Sequence, residues 1–196
     1  MRGVIGSGAA AVLLAAVLWG TTGTAAAFAP NVSGLAIGAA AMGIGGLLQA
    51  ALAVGPLRTH RAALRGQLGT ISLSAVAVAT FPLAFYSSVR LAGVAVGTVV
   101  TIGSAPPAAA LIERVMDGTR LSRRWVTGTA IGVLGVLALA WSHPSDASSA
   151  ATPSLPGGWS HIAGVGLGVL GGATYALYSW GAARVIQRDI PSRAAM

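Results

Sequence analysis

The chain has 196 residues, 55% of them hydrophobic and only 8% charged, against about 25% charged in an ordinary soluble domain, which points away from a water-soluble fold. The formal net charge is +8 and all twelve basic residues are Arg, but they sit in short connectors between apolar runs, so membrane orientation explains them and nucleic-acid binding does not. The absence of Cys excludes disulfides and thiolate metal sites, and the absence of Lys excludes a Walker-type nucleotide loop, hence an ATP-driven pump in this chain.

No Asp, Glu, Lys or Arg falls between Arg2 and Arg58, Arg65 and Arg90, Arg90 and Glu113, Arg124 and Asp146, or Asp146 and Arg184. A bilayer-spanning helix needs roughly 20 apolar residues. The first and last gaps hold two spans and one span plus a loop; the others hold one each. The fold class is therefore all-α, a polytopic transmembrane helix bundle of about six spans.

The first span is expected at 5–28. Arg2 and Ala25-Ala26-Ala27 raise a cleavable signal peptide as the alternative, but the apolar stretch from Gly3 to Ala29 far exceeds the ~7–15 residues of a signal core. Pro30 to Gly34 separates it from a second span at 34–55, which Gly55-Pro56 is expected to close. The third covers 67–88 and the fourth 91–112, followed by Asp117-Gly118; the fifth covers 125–142. A Ser/Ala/Pro-rich loop then runs from His143-Pro144 to Gly157-Gly158, before a sixth span at 160–182.

This threading puts Arg2, Arg58, Arg61, Arg65, Arg114, Arg120, Arg123, Arg124, Arg184, Arg188 and Arg193 on one side and Arg90 alone on the other. By the positive-inside rule the N-terminus and the chain end are both cytoplasmic. Trp125 with Trp141, and Trp159 with Trp180, bracket the last two spans at about 24 and 31 Å, the spacing of interfacial belts. Trp19 lies away from either end of its span, where it packs or lines a cavity.

Glycines four apart (Gly34/Gly38, Gly93/Gly97, Gly128/Gly132, Gly164/Gly168/Gly172) let helices approach closely in lipid. Pro106-Pro107 lies inside the fourth span and removes the helical donors for the carbonyls of Ile102 and Gly103. A broken helix is expected there, with Thr98, Thr101 and Ser104 near enough to help. Such interruptions either form a kink satisfied by neighbouring helices or border a transporter's binding site. Phe81-Pro82 has the same ambiguity.

The stretch Phe85 to Leu139, with its aromatic-rich helix end, small-residue helix with Pro, Glu113, the Arg120-Leu121-Ser122 loop and a Gly-rich helix, resembles the end of the first repeat of EamA transporters in the drug/metabolite transporter superfamily. Trp19-Gly20 resembles the Trp-Gly of that family's first helix. The resemblance implies two inverted five-helix halves (5+5): a first repeat at 1–142, an extracytoplasmic linker at 143–158, and the start of a second repeat at 159–196, with four further helices expected in a complete member. Gly8–Phe28 can be laid over Gly164–Arg184 at one constant offset, which places Trp19 over Tyr175.

The function implied is secondary transport, with export the direction the resemblance gives, of small metabolites across the cytoplasmic membrane. The alternative is a non-transporting membrane subunit or scaffold. A membrane-embedded enzyme is disfavoured by the lack of paired intramembrane carboxylates or an H-E-x-x-H motif. Trp19, Thr21, Thr22, Gln49, Tyr86, Thr101, Pro106, Tyr175 and Tyr178 are the substrate-cavity candidates, since hydroxyls and aromatic faces suit a small solute in an apolar cavity. For each, interhelical bonding or interfacial anchoring is the alternative role. Glu113 is either a cytoplasmic gate or a loop residue paired with Arg. No cofactor, metal or catalytic residue is expected. The partners are a small-molecule substrate, the lipid bilayer and, to close a half-built cavity, a second copy of the chain as a homo-oligomer; nucleic acid is not one.

Overall fold

The computed structural model describes residues 2–142, 159–188 and 190–192, with side chains over 9–138, 159–188 and 190–192. The expected linker at 143–158, the side chains of Arg2 and Trp141, and Arg193 lie outside the described residues.

Among the described residues, seven helices follow in order: α1 (Arg2–Ala27), α2 (Gly34–Thr59), α3 (Arg61–Arg65), α4 (Leu68–Ala92), α5 (Val94–Asp117), α6 (Arg123–Ser142) and α7 (Trp159–Ile186). Five of them, α1, α2, α4, α5 and α7, are long and apolar enough to cross a membrane within the described residues. The fifth expected span is present as α6, whose described side chains stop at Ala138. The chain is a polytopic helical bundle for a lipid bilayer.

Local chemistry sets most boundaries. Ser33 caps α2, its Oγ accepting the Ala36 N–H at 3.2 Å, and the Ser122 hydroxyl accepts the Trp125 N–H at 3.2 Å at the start of α6. Gly93 joins α4 to α5 at φ 86°, and Gly118 ends α5 at φ 69°. Side chains with a Cβ rarely adopt either conformation.

Two expectations fail at proline. Gly55-Pro56 does not close α2; the helix continues to Thr59, and the His60 N–H donates to the Pro56 carbonyl at 3.0 Å. Nor is α5 broken at Pro106-Pro107, which lie inside one continuous helix. A proline removes only its own donor. Stopping the helix at membrane depth would leave every following N–H and C=O to find a partner. The hydroxyls near Pro106 do not serve the two freed carbonyls: Thr101 donates to Gly97 at 2.7 Å and Ser104 to Thr101 at 3.2 Å. The five-residue α3 was not expected. Its Leu64 packs with Ile71, Val185 and Ile190, tying the α2–α4 connector to the end of α7.

The packing hub is α7, which lies mainly on α4 and α5, while α2 packs on α4, α6 on α5, and α1 touches α4 and α5. Small residues make these contacts. A Cβ at Gly34 would stand 2.6 Å from the Tyr86 carbonyl, and one at Gly38 2.8 Å from that of Pro82. On α7, Gly164 meets the Ala92 backbone at 2.7 Å and Gly172 the Thr101 carbonyl at 2.6 Å by the same measure. Gly128 and Gly132 on α6 face open space. Large apolar side chains point outward instead: Leu52 is 82% and Ile131 70% exposed. This inside-out arrangement fits lipid, where tails are as apolar as Leu and only close packing holds helices together.

Arg90 sits at one end of the bundle. Its guanidinium donates to the carbonyls of Ala29, Pro30 (3.1 Å) and Val32 (2.7 Å), pinning the α1–α2 connector to the last turn of α4. Gly164, at the start of α7, lies at this same end beside Ala92. The end of α7 lies instead with Leu64 and Ile71. Thus α1 and α7 run in opposite directions, and α5 runs parallel to α7. Arg58, Arg61, Arg65, Arg114, Arg120, Arg123, Arg124, Arg184 and Arg188 all belong to the end opposite Arg90.

Gly172→Ala is expected to destabilise the detergent-solubilised protein by about 1–3 kcal/mol through overpacking, whereas Gly128→Ala stays within about 0.5 kcal/mol; thermal melts compare them. Arg90→Ala frees the α1–α2 connector and is expected to speed proteolysis there. Arg90→Lys restores only part of the protection, since an ammonium cannot span three carbonyls as a guanidinium does.

Candidate functional site

Four helices, α1, α4, α5 and α7, line a half-open chamber of about 340 Å³, its wall made by Trp19, Phe81, Thr101, Ile102, Ala105, Pro106, Ala109, Tyr175, Ala176 and Ser179. No polar atom reaches its accessible surface. The α5 residues come from one face, because positions 102, 105, 106 and 109 recur at helical spacing. Small residues at 105, 109 and 176 leave the room.

One side is aromatic. The Trp19 ring lies 5.4 Å from Tyr175 and 6.4 Å from Phe81, centroid to centroid, and Phe81 lies 5.5 Å from Tyr175. Three helices thus meet through three rings. Phe81 stacks on Phe85 at 5.9 Å, and Phe85 meets Tyr86 edge-on at 5.1 Å, carrying the ring chain into the core around Ala26 and Val89. Such contacts give α1, which has little other packing, about 0.5–1.5 kcal/mol per pair beyond area burial.

The chamber leads along α5 and α7 into a mouth of about 550 Å³. Ala109, Ala176 and Ser179 belong to both walls, and the mouth adds Glu113, Asp117, Trp180, Ala183, Arg184, Gln187 and Arg188. Across it, Arg184 forms an ion pair with Asp117. The Trp180 Nε1–H donates to the other oxygen of Asp117 at 2.9 Å, and the Arg184 guanidinium lies 5.0 Å over the Trp180 ring. This triad links the last turn of α5 to α7. Of the two roles open to Glu113, pairing with Arg is not made: among the described residues Glu113 has no ion pair, and Asp117 makes the one at this end. It lines the mouth and a neighbouring cavity of about 450 Å³ that reaches Arg120 and Trp125.

Of the expected cavity residues, the chamber brings together Trp19, Thr101, Pro106 and Tyr175. The others lie elsewhere. Thr21 and Thr22 donate to the carbonyls of Leu18 and Trp19, each at 2.7 Å, within their own helix. Tyr86 is buried in the core, and Gln49 is exposed on α2 rather than buried. Tyr178 is half-buried on α7 and not in the chamber wall. The wall also holds Phe81, noted in the sequence only as part of Phe81-Pro82, and Ser179, which was passed over. Ser179 follows Tyr175 by one helical turn, a spacing that would have found it; the signal at Phe81 is the proline that follows it. Among the described residues no group of three His, Cys, Asp or Glu is placed to hold a metal ion.

No family model matches the chain, and no solved structure does. A curated protein of Bacillus subtilis (strain 168), named an uncharacterized transporter, YwfM, is 33% identical over 169 residues. That match covers 86% of the chain and 52% of the relative, so the chain spans about half the length of the curated relative it matches.

Trp19→Ala removes two ring contacts and is expected to lower the midpoint of thermal unfolding in detergent by roughly 3–10 °C. Thr22→Val removes one bond inside α1 and is expected to leave it within about 1 °C, the behaviour of a substitution away from packed or buried polar features. A larger effect at Thr22 than at Trp19 would show that α1 is not held chiefly by the ring cluster.

Proposed function

We propose that the chain works in secondary transport of small metabolites across the cell membrane, as a member of the EamA group of drug/metabolite transporters, with export as its direction. The observation that carries this reading is the chamber. It is walled by helices that cross the bilayer, lies at the middle of α1 and α7, and continues into a charged mouth at one membrane surface. A concave apolar site with a few polar groups at its rim is the usual form of a small-molecule site. The relative named as a transporter supports the same class.

Contact between α1 and α7 supports the inverted-repeat organisation. Trp19 and Tyr175, equivalent under one constant sequence offset, meet at 5.4 Å on antiparallel helices. A pseudo-two-fold axis in the membrane plane brings equivalent residues near it into contact in this way. On this reading residues 1–142 form one half, 143–158 the linker on the outer side, and 159–196 open the second half. The collection of arginines at the end opposite Arg90 supports a cytoplasmic N-terminus and a cytoplasmic mouth. Glu113 and the Asp117–Arg184–Trp180 triad then stand at the inner gate. A second copy of the chain fits as a partner to close the open side of the chamber, where Trp19 is 42% exposed.

The test is flux of labelled solutes into vesicles carrying the protein. Flux above that of empty vesicles is expected, falling on the order of tenfold with Trp19→Ala at equal abundance, the loss that follows when about 1.4 kcal/mol of binding is removed. Asp117→Asn breaks the ion pair across the mouth and is expected to change flux in either direction without lowering abundance. A chain that inserts fully yet carries no solute would instead support a scaffold role.

A further inference from the structure

The α5 face that lines the chamber does not stop there. Pro106, Ala109 and Glu113 continue one helical stripe, with Glu113 about 6 Å beyond Ala109 and about 10 Å beyond Pro106 along the axis. The chamber offers a ligand apolar and ring surface and no hydrogen-bonding atom. A sugar or phosphate placed there would lose its water without compensation. An apolar body would not, and the three rings meeting at 5.4–6.4 Å suit an aromatic one.

The charge that such a body's head meets is set by the order of groups outward. Glu113 comes first and is unpaired among the described residues. One turn further on, Asp117 and Arg184 neutralise each other, with Trp180 bonded to the same carboxylate. Arg188 is one turn of α7 beyond Arg184, and Arg120, past the end of α5, lines the neighbouring cavity with Pro106, Ala109 and Glu113 and not the mouth. Arg114 neighbours Glu113 in sequence but is not in the mouth wall. A head group leaving the chamber through the mouth therefore reaches the carboxylate of Glu113 before Arg188, the uncompensated cation of that wall.

We propose that this groove binds a small amphipathic cation, its apolar or aromatic body in the chamber between Trp19, Phe81 and Tyr175 and its positive head at Glu113. The inference names the substrate class of the transport site and rests on that reading only for what is moved; binding stands or falls by itself.

The experiment is calorimetric titration of the full chain in nanodiscs with three probes sharing one phenyl body: 2-phenylethylamine, 2-phenylethanol and 3-phenylpropionate, cationic, neutral and anionic at pH 7. The amine is expected to bind on the order of tenfold tighter than the alcohol, in keeping with a charge-assisted contact, and the propionate most weakly. Glu113→Gln should bring the amine down to the alcohol's affinity and leave the alcohol unchanged; Glu113→Asp should recover part of the difference. Phe81→Ala should weaken amine and alcohol together. Equal affinity for amine and propionate, an amine preference that survives Glu113→Gln, or no binding of any probe at millimolar concentration overturns the proposal. If the amine binds as expected but vesicles show no flux, the transport reading fails and the binding site remains.

Discussion

Backbone-to-backbone approach at the glycine face of α7 is the contact on which the rest of the bundle depends. In lipid no gain comes from hiding Leu or Ile, so α7 holds α4 and α5 only by coming near enough for dispersion to act over many atoms. Gly164 against Ala92 and Gly172 against Thr101 set that distance. Beyond Gly172, Tyr175, Ser179 and Trp180 line the chamber and its mouth between α7 and α5. Cavity and seam are therefore two stretches of one helix face.

A different device holds α1. It has few backbone contacts and depends on the ring of Trp19 against Phe81 and Tyr175 at mid-membrane and on the connector that Arg90 holds at its end. The two anchors differ in kind. Arg90 bonds carbonyls that need a donor wherever the connector lies, whereas the rings tolerate sliding and tilting, as offset and edge-on pairs of similar energy do. The wall of the chamber formed by α1 is thus its most adaptable part.

Much of this was legible in the sequence, for reasons that also mark its limits. Uncharged stretches located the spans because lipid penalises charge at any point along them. Proline misled twice, at Pro56 and Pro106-Pro107, because the usual rule for water assumes that a stopped helix can be solvated. At the site, Trp19, Tyr175, Thr101 and Pro106 were recognisable as unusual residues within apolar helices. Gln49 and Tyr86 looked the same in one dimension and are placed elsewhere by the rotation of α2 and α4, which composition does not encode. Phe81 stood out only through the proline beside it: its ring partners are far away in sequence, and only the register between α1, α4 and α7 brings them to it. Asp117, not singled out in the sequence as a pairing residue, makes the ion pair with Arg184, one helical turn beyond Glu113.

That α5 and α7 run parallel has an electrostatic result. Each helix carries a macrodipole with roughly half a negative charge at its C-terminus, and both C-termini, near Asp117 and Ile186, lie at the mouth. Antiparallel neighbours would cancel; these two add. The carbonyl ends of α5 and α7 thus give the groove a negative field of its own, one that stays when side chains move or protonate. Arg114 and Arg184, in the last turns of the same two helices, lie where that field favours them.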